Sequence, residues 1–235
     1  MRDSIARSGP RAQGTLLGMA TPAPLATRHT GPLLLADISG YTSFLSGVAD
    51  AHQAIIVDTP EPPMAYTVLS HLLDTIVSSI GPGLRLAKFE GDAVFAVADE
   101  GSLDGADVLA LLRSCYESFR GELNLAGSHW TCSCAACALV GDLDLKFVLH
   151  HGSYIAQPIA GHEELLGPDV NVAHRLLKNH VRDAVGPVAY ALITERAVDA
   201  LGVPTEGMVQ ASESYDGVGT VPVRIMVLSE AHAAA

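Results

Sequence analysis

Long apolar runs are absent from this 235-residue chain, although 49% of its residues are hydrophobic and only 17% are charged. No uninterrupted apolar stretch approaches the ~20 residues that a membrane-spanning helix requires, so no membrane segment is expected. The composition also argues against disorder over most of the length. The chain is long enough for one domain with a sizeable buried core.

Positive charge is scarce. Lysine and arginine together number 14 against 26 acidic residues, which gives a formal net charge of -12. A chain this acidic is a poor partner for nucleic acid or for an anionic membrane surface. Any anionic ligand must therefore be held by a few local cations or by metal ions.

Cysteine is rare and unevenly placed. Cys132, Cys134 and Cys137 lie within six positions, which is unsuited to long-range disulfides and suits a metal ion or free thiols. We therefore expect a reducing, cytoplasmic location. Thiolates at this spacing can bind structural Zn²⁺ if a fourth ligand is supplied, and the alternative is a set of free thiols. The candidates for the fourth ligand are His129, Cys115, His150 and His151.

The first 31 residues lack helical or strand periodicity and carry four arginines among small residues and prolines. Their apolar stretch, residues 16–20, is too short for the core of a secretory signal peptide. We predict a flexible N-terminal tail over residues 1–31 and one domain over residues 32–230. Met19 is an alternative to Met1 as the start of translation.

Apolar periodicity predicts the elements that follow Pro32. The predicted strands are 33–38, 84–89, 93–98, 143–149, 154–159, 187–193 and 221–228. The predicted helices are 41–51, 64–80, 106–123, 170–178 and 194–200. Tight hairpins are expected at residues 90–92 and 150–153. This order predicts an α+β sandwich of the ferredoxin-like type, with helices covering a mixed, mainly antiparallel sheet.

Two aspartates are expected to lie close together in this arrangement. Asp37 closes the first strand, and Asp92 lies in the first hairpin. Carboxylates at the ends of adjacent strands suit Mg²⁺, which commonly shares its oxygen ligands with phosphates. Two such ions can stabilise both the attacking and the leaving oxygen of a phosphoryl displacement. The alternative interpretation is that Asp and Gly simply form turns.

The sequence around these aspartates resembles two signatures of class III adenylate and guanylate cyclases. They are Ala36-Asp37-Ile38-Ser39-Gly40-Tyr41-Thr42-Ser43-Phe44 and Lys88-Phe89-Glu90-Gly91-Asp92. The resemblance implies that Asp37 and Asp92 bind two Mg²⁺ or Mn²⁺ ions and that Lys88 contacts the purine base. It also implies that the triphosphate is lined by the residues after the first aspartate, among them Ile38, Gly40, Tyr41 and Thr42.

A third region extends the resemblance. Glu164 is followed by a glycine and by an Asn-x-x-x-Arg pattern, here Asn171 and Arg175, which a helix places on one face. The resemblance implies that Asn171 orients the ribose and that Arg175 stabilises charge on the α-phosphate, a role suited to a permanently charged guanidinium. The alternative is a surface helix whose arginine is merely solvated.

The combination of Lys88 and Glu164 favours adenine over guanine. A lysine donates to the purine N1, and a carboxylate accepts from the 6-amino group. ATP is therefore the expected substrate and cyclic AMP the expected product. Class III cyclases form their active site between two catalytic domains, so the resemblance implies a homodimer. In it, the aspartates of one chain would meet the base-binding and Asn-Arg residues of the other.

One expected residue is missing. Active members of the cyclase family carry a further lysine near the last hairpin, whereas Val218 or a neighbour stands there in this chain, and no lysine follows Lys178. Loss of one preorganised charge costs on the order of 10²–10³ in rate. The main hypotheses are therefore a working cyclase and a degenerate homologue that binds nucleotide or regulates another protein. A structural scaffold clamped by zinc is a third.

The segment of about 126–141, which holds the three clustered cysteines, is an insertion relative to the usual cyclase pattern. Through this loop, the chain also resembles an uncharacterised bacterial family of cyclase-related single-domain proteins. Two further motifs carry that resemblance, Leu145-Lys146-Phe147-Val148 and His174-Arg175-Leu176-Leu177-Lys178-Asn179. It extends over approximately residues 32–228.

Overall fold

The structure is a computed structural model of the chain, and it describes residues 25–53, 62–129, 132 and 134–228. Met1, Met19 and most of the predicted tail lie outside these residues. None of the helices in the described ranges combines the length and the apolar character that crossing a bilayer requires.

Eight strands of the described chain form one sheet. They are β1 (Thr27–Ser39), β2 (Arg85–Glu90), β3 (Ala93–Val97), β4 (Asp144–Ile159), β5 (His162–Leu166), β6 (Tyr190–Thr194), β7 (Val209–Tyr215) and β8 (Gly219–Val227). Their order is β2-β3-β1-β4-β6-β8-β7, and β5 pairs with β4. β4 and β6 are parallel, and the other pairs are antiparallel. The predicted α+β fold with a mixed, mainly antiparallel sheet is confirmed.

The helices of the described chain are α1 (Tyr41–Ala51), α2 (Met64–Ile80), α3 (Gly105–His129), α4 (Ala135–Ala138), α5 (Pro168–Leu176), α6 (Val181–Val185) and α7 (Glu195–Leu201). α1 and α2 begin and end where the apolar periodicity predicted. α3 continues past its predicted end at residue 123, so the segment predicted as an insertion starts inside this helix. Neither α6 nor the strands β5 and β7 was predicted.

β1 shows how the sheet is covered on both sides. Leu34, Ala36 and Ile38 belong to one apolar cluster, while Leu33 and Leu35 belong to another. The first cluster includes residues of α1, α2 and α3, and the second includes residues of α5 and α6. A strand buried on both faces requires an unbroken apolar run, which is the pattern from which this strand was predicted.

β1 also corrects the predicted boundary at Pro32. The strand begins at Thr27, and residues 27–31 pair with residues 152–156 of β4. Residues 27–30 are polar and exposed or only half-buried, so this part of the strand has no apolar pattern. Residues 27–31 are therefore part of the sheet and do not belong to a flexible tail.

The predicted hairpin at residues 150–153 is wrong. β4 runs without a break from Asp144 to Ile159, and the chain turns only at Ala160 and Gly161 before β5. Both turn residues have a positive φ, 51° and 85° respectively. The hairpin predicted at residues 90–92 is confirmed, since β2 and β3 are antiparallel and Gly91 between them has a φ of 66°.

Gly152 is required by packing and not by a turn. A Cβ at this position would lie 2.3 Å from both Cβ and Cγ of Asp169. Asp169, in the first turn of α5, accepts hydrogen bonds from the Ser153 N–H and from Arg196, each at 2.7 Å. The glycine therefore makes room for a carboxylate that joins α5 and α7 to β4.

His150 is a core residue of the same network. It is 4% exposed, with Nδ1 3.0 Å from Thr194 Oγ1 and Nε2 3.4 Å from Asp169 Oδ1. Burial lowers the pKa of His150, and the neighbouring Asp169 carboxylate offsets only part of that effect. His150 is thus a structural residue. Its two ring nitrogens contact Thr194 and Asp169, and neither contacts a cysteine of the cluster.

Replacing Gly152 with alanine is expected to lower the free energy of unfolding by about 1–3 kcal/mol, the usual cost of overpacking a filled site. The new methyl group would collide with Asp169 close to its backbone, where side-chain rotation gives little relief. Gly121→Ala is the matched control, because a Cβ there on α3 meets nothing within 4 Å. Urea denaturation of the three proteins measures the effect, and equal stability of G152A and wild type would contradict it.

Acidification is expected to destabilise the protein through His150. Its pKa is lowered in the folded state, so below the unfolded value of about 6.5 the unfolded chain binds a proton that the folded chain does not. The free energy of unfolding therefore falls as the pH falls through this window. His150→Gln removes the titration, so the stability difference between wild type and variant should narrow from about pH 7 to about pH 5. Denaturant titrations at each pH measure this, and two parallel profiles would refute it.

Candidate functional site

The first cleft lies where β1 ends and α1 begins. Asp37 pairs in register with Ala93 of β3, which places Asp92 of the β2–β3 turn beside it. Gly40 has a φ of 88° and lets the chain turn from β1 into α1. The cleft has a volume of about 500 Å³. It is lined by Asp37, Ile38, Ser39, Gly40, Tyr41, Thr42, Ser43, Asp92, Lys146, Leu177, Asn179, His180, Arg182, Asp183 and Tyr190.

The structure thus brings both predicted metal ligands together with the loop predicted to line the triphosphate. Lys146 joins them, because its Nζ lies 2.8 Å from Asp37 Oδ2 and donates to the Leu177 carbonyl at 3.3 Å. Lys146 stands opposite Asp37 in the register of β4 with β1. The sequence pattern assigned no role to this lysine, since partners on neighbouring strands share no sequence spacing.

The surroundings of Asp92 disfavour its negative charge. Burial, and then the negative charge of Asp37, raise the pKa of Asp92 against the opposing effects of the backbone and of Lys146. A divalent cation relieves such repulsion, and carboxylate oxygens are preferred ligands of Mg²⁺ and Mn²⁺. The donor set therefore fits one of these ions.

A second cleft, of about 480 Å³, lies between α5 and the β7–β8 turn. It contains the predicted pair Asn171 and Arg175, which share one face of α5. Val218 lines the same cleft, so the residue that stands where a lysine was expected does lie beside the Asn-Arg pair. Lys178 also lines the cleft and was not predicted to do so. The full lining is Asn171, His174, Arg175, Lys178, Asp216, Gly217 and Val218.

The two residues predicted to contact the base are in direct contact. Lys88 Nζ lies 3.0 Å from Glu164 Oε2 and 3.0 Å from Glu90 Oε1. Burial opposes the charge of Lys88, but its hydrogen bonds to Glu164 and Glu90 outweigh burial and raise its pKa. Glu90 Oε2 in turn lies 3.0 Å from His174 Nδ1. Glu90 and His174, neither of which was predicted, therefore connect the base-binding pair to the second cleft.

Within one chain, the predicted site residues fall into two separate groups. The aspartates line the first cleft, and the Asn-Arg pair lines the second. Among the described residues, none lines both clefts.

The clustered cysteines form a third site together with a histidine that the sequence did not indicate. His52 Nε2 lies 3.6 Å from Cys132 Sγ, 3.4 Å from Cys134 Sγ and 3.3 Å from Cys137 Sγ. The four ligand atoms all lie within 4.8 Å of one another. This group has the composition and compactness of a metal site.

Three of the four predicted fourth ligands, Cys115, His150 and His151, are described by the structure, and none of the three belongs to the cysteine group. Cys115 is buried in the core, with its Sγ 4.0 Å from the Ile76 carbonyl, and His150 is held by Thr194 and Asp169. His151, its neighbour on β4, is likewise absent from the cysteine group. The side chain of His129 lies outside the described residues. His52 lies some eighty positions from the cysteines, so no short motif could have indicated it.

The segment that holds Cys132, Cys134 and Cys137, here called the cysteine loop, stabilises the deprotonated form of at least one cysteine. The backbone N–H of Cys137 donates to Cys134 Sγ at 3.3 Å. This bond, followed by contacts from the neighbouring thiols and His52, lowers the pKa of Cys134 to about 6. Cys134 is also the N-terminal cap of α4, so the helix start and the thiolate depend on the same sulfur.

Comparison with known proteins relates the chain to proteins without an assigned activity. Residues 69–184 match the family model described as Protein of unknown function (DUF2652). The chain is 30% identical over 155 residues to the uncharacterized protein Rv2561/Rv2562 of Mycobacterium tuberculosis. That alignment covers 64% of this chain and 69% of the mycobacterial protein.

Solved structures of cyclase domains share the fold. The guanylyl cyclase Cya2 matches with a TM-score of 0.64 and 15% identity, over 88% of this chain and 97% of that chain. A bacterial light-regulated adenylyl cyclase matches with a TM-score of 0.59 and 16% identity, over 87% of this chain and 53% of that chain. At these identities the likeness establishes the fold alone. The chain belongs to the same protein family as Rv2561/Rv2562 of Mycobacterium tuberculosis, and its fold is that of a class III nucleotidyl cyclase domain.

Proposed function

We propose that the chain is a class III nucleotidyl cyclase that converts ATP to cyclic AMP and pyrophosphate. The observation that carries the proposal is the first cleft, where Asp37, Asp92 and Lys146 meet at the turn into α1. In a chain of net charge -12, a phosphate ligand is held by local cations or by metal ions bound to carboxylates. This cleft offers the two together.

Asp37 and Asp92 would hold two Mg²⁺ or Mn²⁺ ions. When bound, such ions stabilise the attacking and the leaving oxygen of a phosphoryl displacement. Lys146 lies within reach of the same carboxylate and would contact the outer phosphates of the triphosphate. Arg182, which lines the same cleft, adds a second positive charge there.

The reaction is an in-line displacement at the α-phosphorus. The 3′-oxygen forms a bond to this phosphorus, the bond to the bridging oxygen of the β-phosphate breaks, and the 3′-hydroxyl proton is released. Pyrophosphate leaves with the bridging oxygen. Asn171 would orient the ribose, and Arg175 would stabilise the charge that develops on the α-phosphate. Both residues come from the second cleft.

The active enzyme is proposed to be a homodimer. Its support is the separation of the two clefts, because neither cleft alone contains the metal ligands together with the Asn-Arg pair. In a dimer with two-fold symmetry, both chains contribute the same surface to the interface, so each contact occurs twice. It would bring the first cleft of each chain to the second cleft of its partner and so form two complete sites.

ATP is proposed over GTP because of Lys88 and Glu164. Their contact at 3.0 Å supports a shared base-binding role, in which Lys88 donates to N1 and Glu164 accepts from the 6-amino group. Glu90 holds Lys88 at the same distance, so the lysine is positioned even before a base arrives.

A second candidate function, nucleotide binding without turnover, is favoured by one observation. Val218 lines the second cleft at the place where a leaving-group lysine was expected. Lys178 lines the same cleft, and this lysine supports the enzyme by offering a substitute cation. The two candidates differ only in whether product forms.

We also propose a zinc ion at Cys132, Cys134 and Cys137, because thiolate sulfur suits Zn²⁺ better than Mg²⁺.

The cytoplasm is the proposed location. No disulfide joins the four cysteines, all of which lie among the described residues, and reduced thiols persist in a reducing compartment.

Purified wild type is expected to form cyclic AMP from ATP with Mg²⁺ or Mn²⁺, with less product from GTP. Asp92→Asn keeps the shape of the side chain but removes the charge, so its rate should fall at least about 10²-fold. Asp74→Asn, at an exposed position on α2, is the matched control and should retain the rate. Nucleotide binding without product would instead favour the second candidate, and absence of binding would contradict both.

Subunit complementation tests the shared site. D92N and R175A should each be inactive alone, yet an equal mixture should recover about a quarter of the wild-type rate. Half of the dimers are then mixed, and each mixed dimer has one intact site. Wild type mixed equally with a D92N/R175A double variant should also keep about a quarter of the rate, because only wild-type homodimers then have intact sites, whereas sites within one chain would leave about half. If the two single variants regain nothing on mixing after subunit exchange is verified, the site lies within one chain.

A further inference from the structure

We propose that His52 completes a four-ligand zinc centre with Cys132, Cys134 and Cys137, and that this centre fastens the end of α1 to the cysteine loop. The inference extends the zinc ion proposed for the cysteines by naming its fourth ligand and its mechanical role. It does not depend on nucleotide turnover.

The sulfur–nitrogen distances match those of a tetrahedral site. Zinc bonds of about 2.3 Å to sulfur and about 2.0–2.1 Å to nitrogen, at tetrahedral angles, separate a sulfur from a nitrogen by about 3.6 Å. His52 Nε2 lies 3.3 to 3.6 Å from the three sulfurs. All four atoms can therefore surround one ion with small adjustments of the side chains.

Hydrogen bonding alone does not account for this arrangement. A neutral imidazole nitrogen carries either one proton or one lone pair, so it can engage one thiol well. Here a single Nε2 is almost equidistant from three sulfurs. A cation at the centre of the four atoms gives each of them a partner at once.

The ligand set and its surroundings point to zinc. Three cysteines and one histidine form a recognised structural zinc composition, with no position left open for a substrate. The backbone N–H of Cys137 donates to Cys134 Sγ at 3.3 Å, and such hydrogen bonds from outside the ligand shell stabilise and orient a ligating thiolate. Cys137 itself is 2% exposed, so the site is partly shielded from water.

α1 is the element that gains most from this anchor. Its 11 residues bury only Phe44 and Val48, and its N-terminus has no side-chain cap. A helix of this length is marginal without tertiary support. His52 follows the last residue of α1, and Gly47 on the same helix lies close to Ala136 of α4, since a Cβ added at Gly47 would lie 3.4 Å from the Ala136 Cβ. The zinc centre would hold the far end of α1 against the cysteine loop.

The anchor also bears on the first cleft. α1 begins at Tyr41, which lines that cleft together with Thr42. Fixing the C-terminal end of a rigid helix restrains its N-terminal end as well. The zinc centre is therefore a positioning device for the loop that follows Asp37, although none of its four ligands lines the cleft.

Metal analysis and zinc-edge X-ray absorption of the wild-type protein test the centre directly. The expected result is one zinc per chain with three sulfur neighbours at about 2.3 Å and one nitrogen at about 2.0 Å. Iron in place of zinc, a sulfur-only shell or protein that takes up no zinc after reduction would overturn the assignment.

Zinc retention by single variants distinguishes the proposed ligands from residues of the same type outside the group. His52→Ala and Cys134→Ser should each weaken zinc retention at least tenfold in competition with a chromophoric chelator. Cys115→Ala and His71→Ala, which change the same residue types outside the group, should retain zinc like wild type. Substitution by Co²⁺ should give a tetrahedral thiolate spectrum in wild type and an altered one in H52A. If H52A kept both the affinity and the spectrum of wild type, His52 would not be a ligand.

Hydrogen exchange tests the mechanical role. Removing zinc with a chelator should increase exchange in residues 41–51 of α1 and leave α7, on a different part of the sheet, unchanged. Unchanged exchange in α1 would overturn the anchoring role. Zinc content and hydrogen exchange are measured without nucleotide. A failed cyclase assay would therefore not count against the zinc centre, and a failed zinc test would not count against the cyclase.

Discussion

The register of β1 with its two neighbours is the constraint on which the first cleft depends. β1 pairs with β3 on one side and with β4 on the other, so Asp37 lies between Ala93 and Lys146. A slip of one residue would turn Asp37 to the opposite face of the sheet. The alternating apolar residues of β1 oppose such a slip, because each set packs in its own buried cluster. The hydrophobic core thereby sets the position of a charged site residue.

The distribution of positive charge gives both clefts their chemical character. In a chain with a net charge of -12, Lys146 and Arg182 line the first cleft, and Arg175 and Lys178 line the second. An anionic ligand is repelled by most of this protein and is met by cations at these two places. The separation of the clefts within one chain, together with their complementary contents, is the physical basis for proposing a shared site between two chains.

Motifs and periodicity predicted much of the fold. They failed at residues whose main contact is with a segment far away in the sequence. The apolar spacing of α1 and α2 predicted both helices with their observed ends, because each buries a stripe repeated along its own sequence. Gly152 suggested a turn, yet it accommodates Asp169 beside an unbroken β4. Likewise, Thr27 belongs to a strand whose partner lies far along the chain.

The sequence by itself determined the fold class, the helical faces and the grouping of residues into two cyclase-like signatures. Such features depend on neighbours in sequence, where residue type and spacing carry the information. Only the tertiary structure decided that Lys146 contacts Asp37, that Lys178 lines the cleft of Val218, and that His52 meets the three cysteines. These contacts join segments far apart in the chain, and sheet register and helix packing create them without leaving a local pattern.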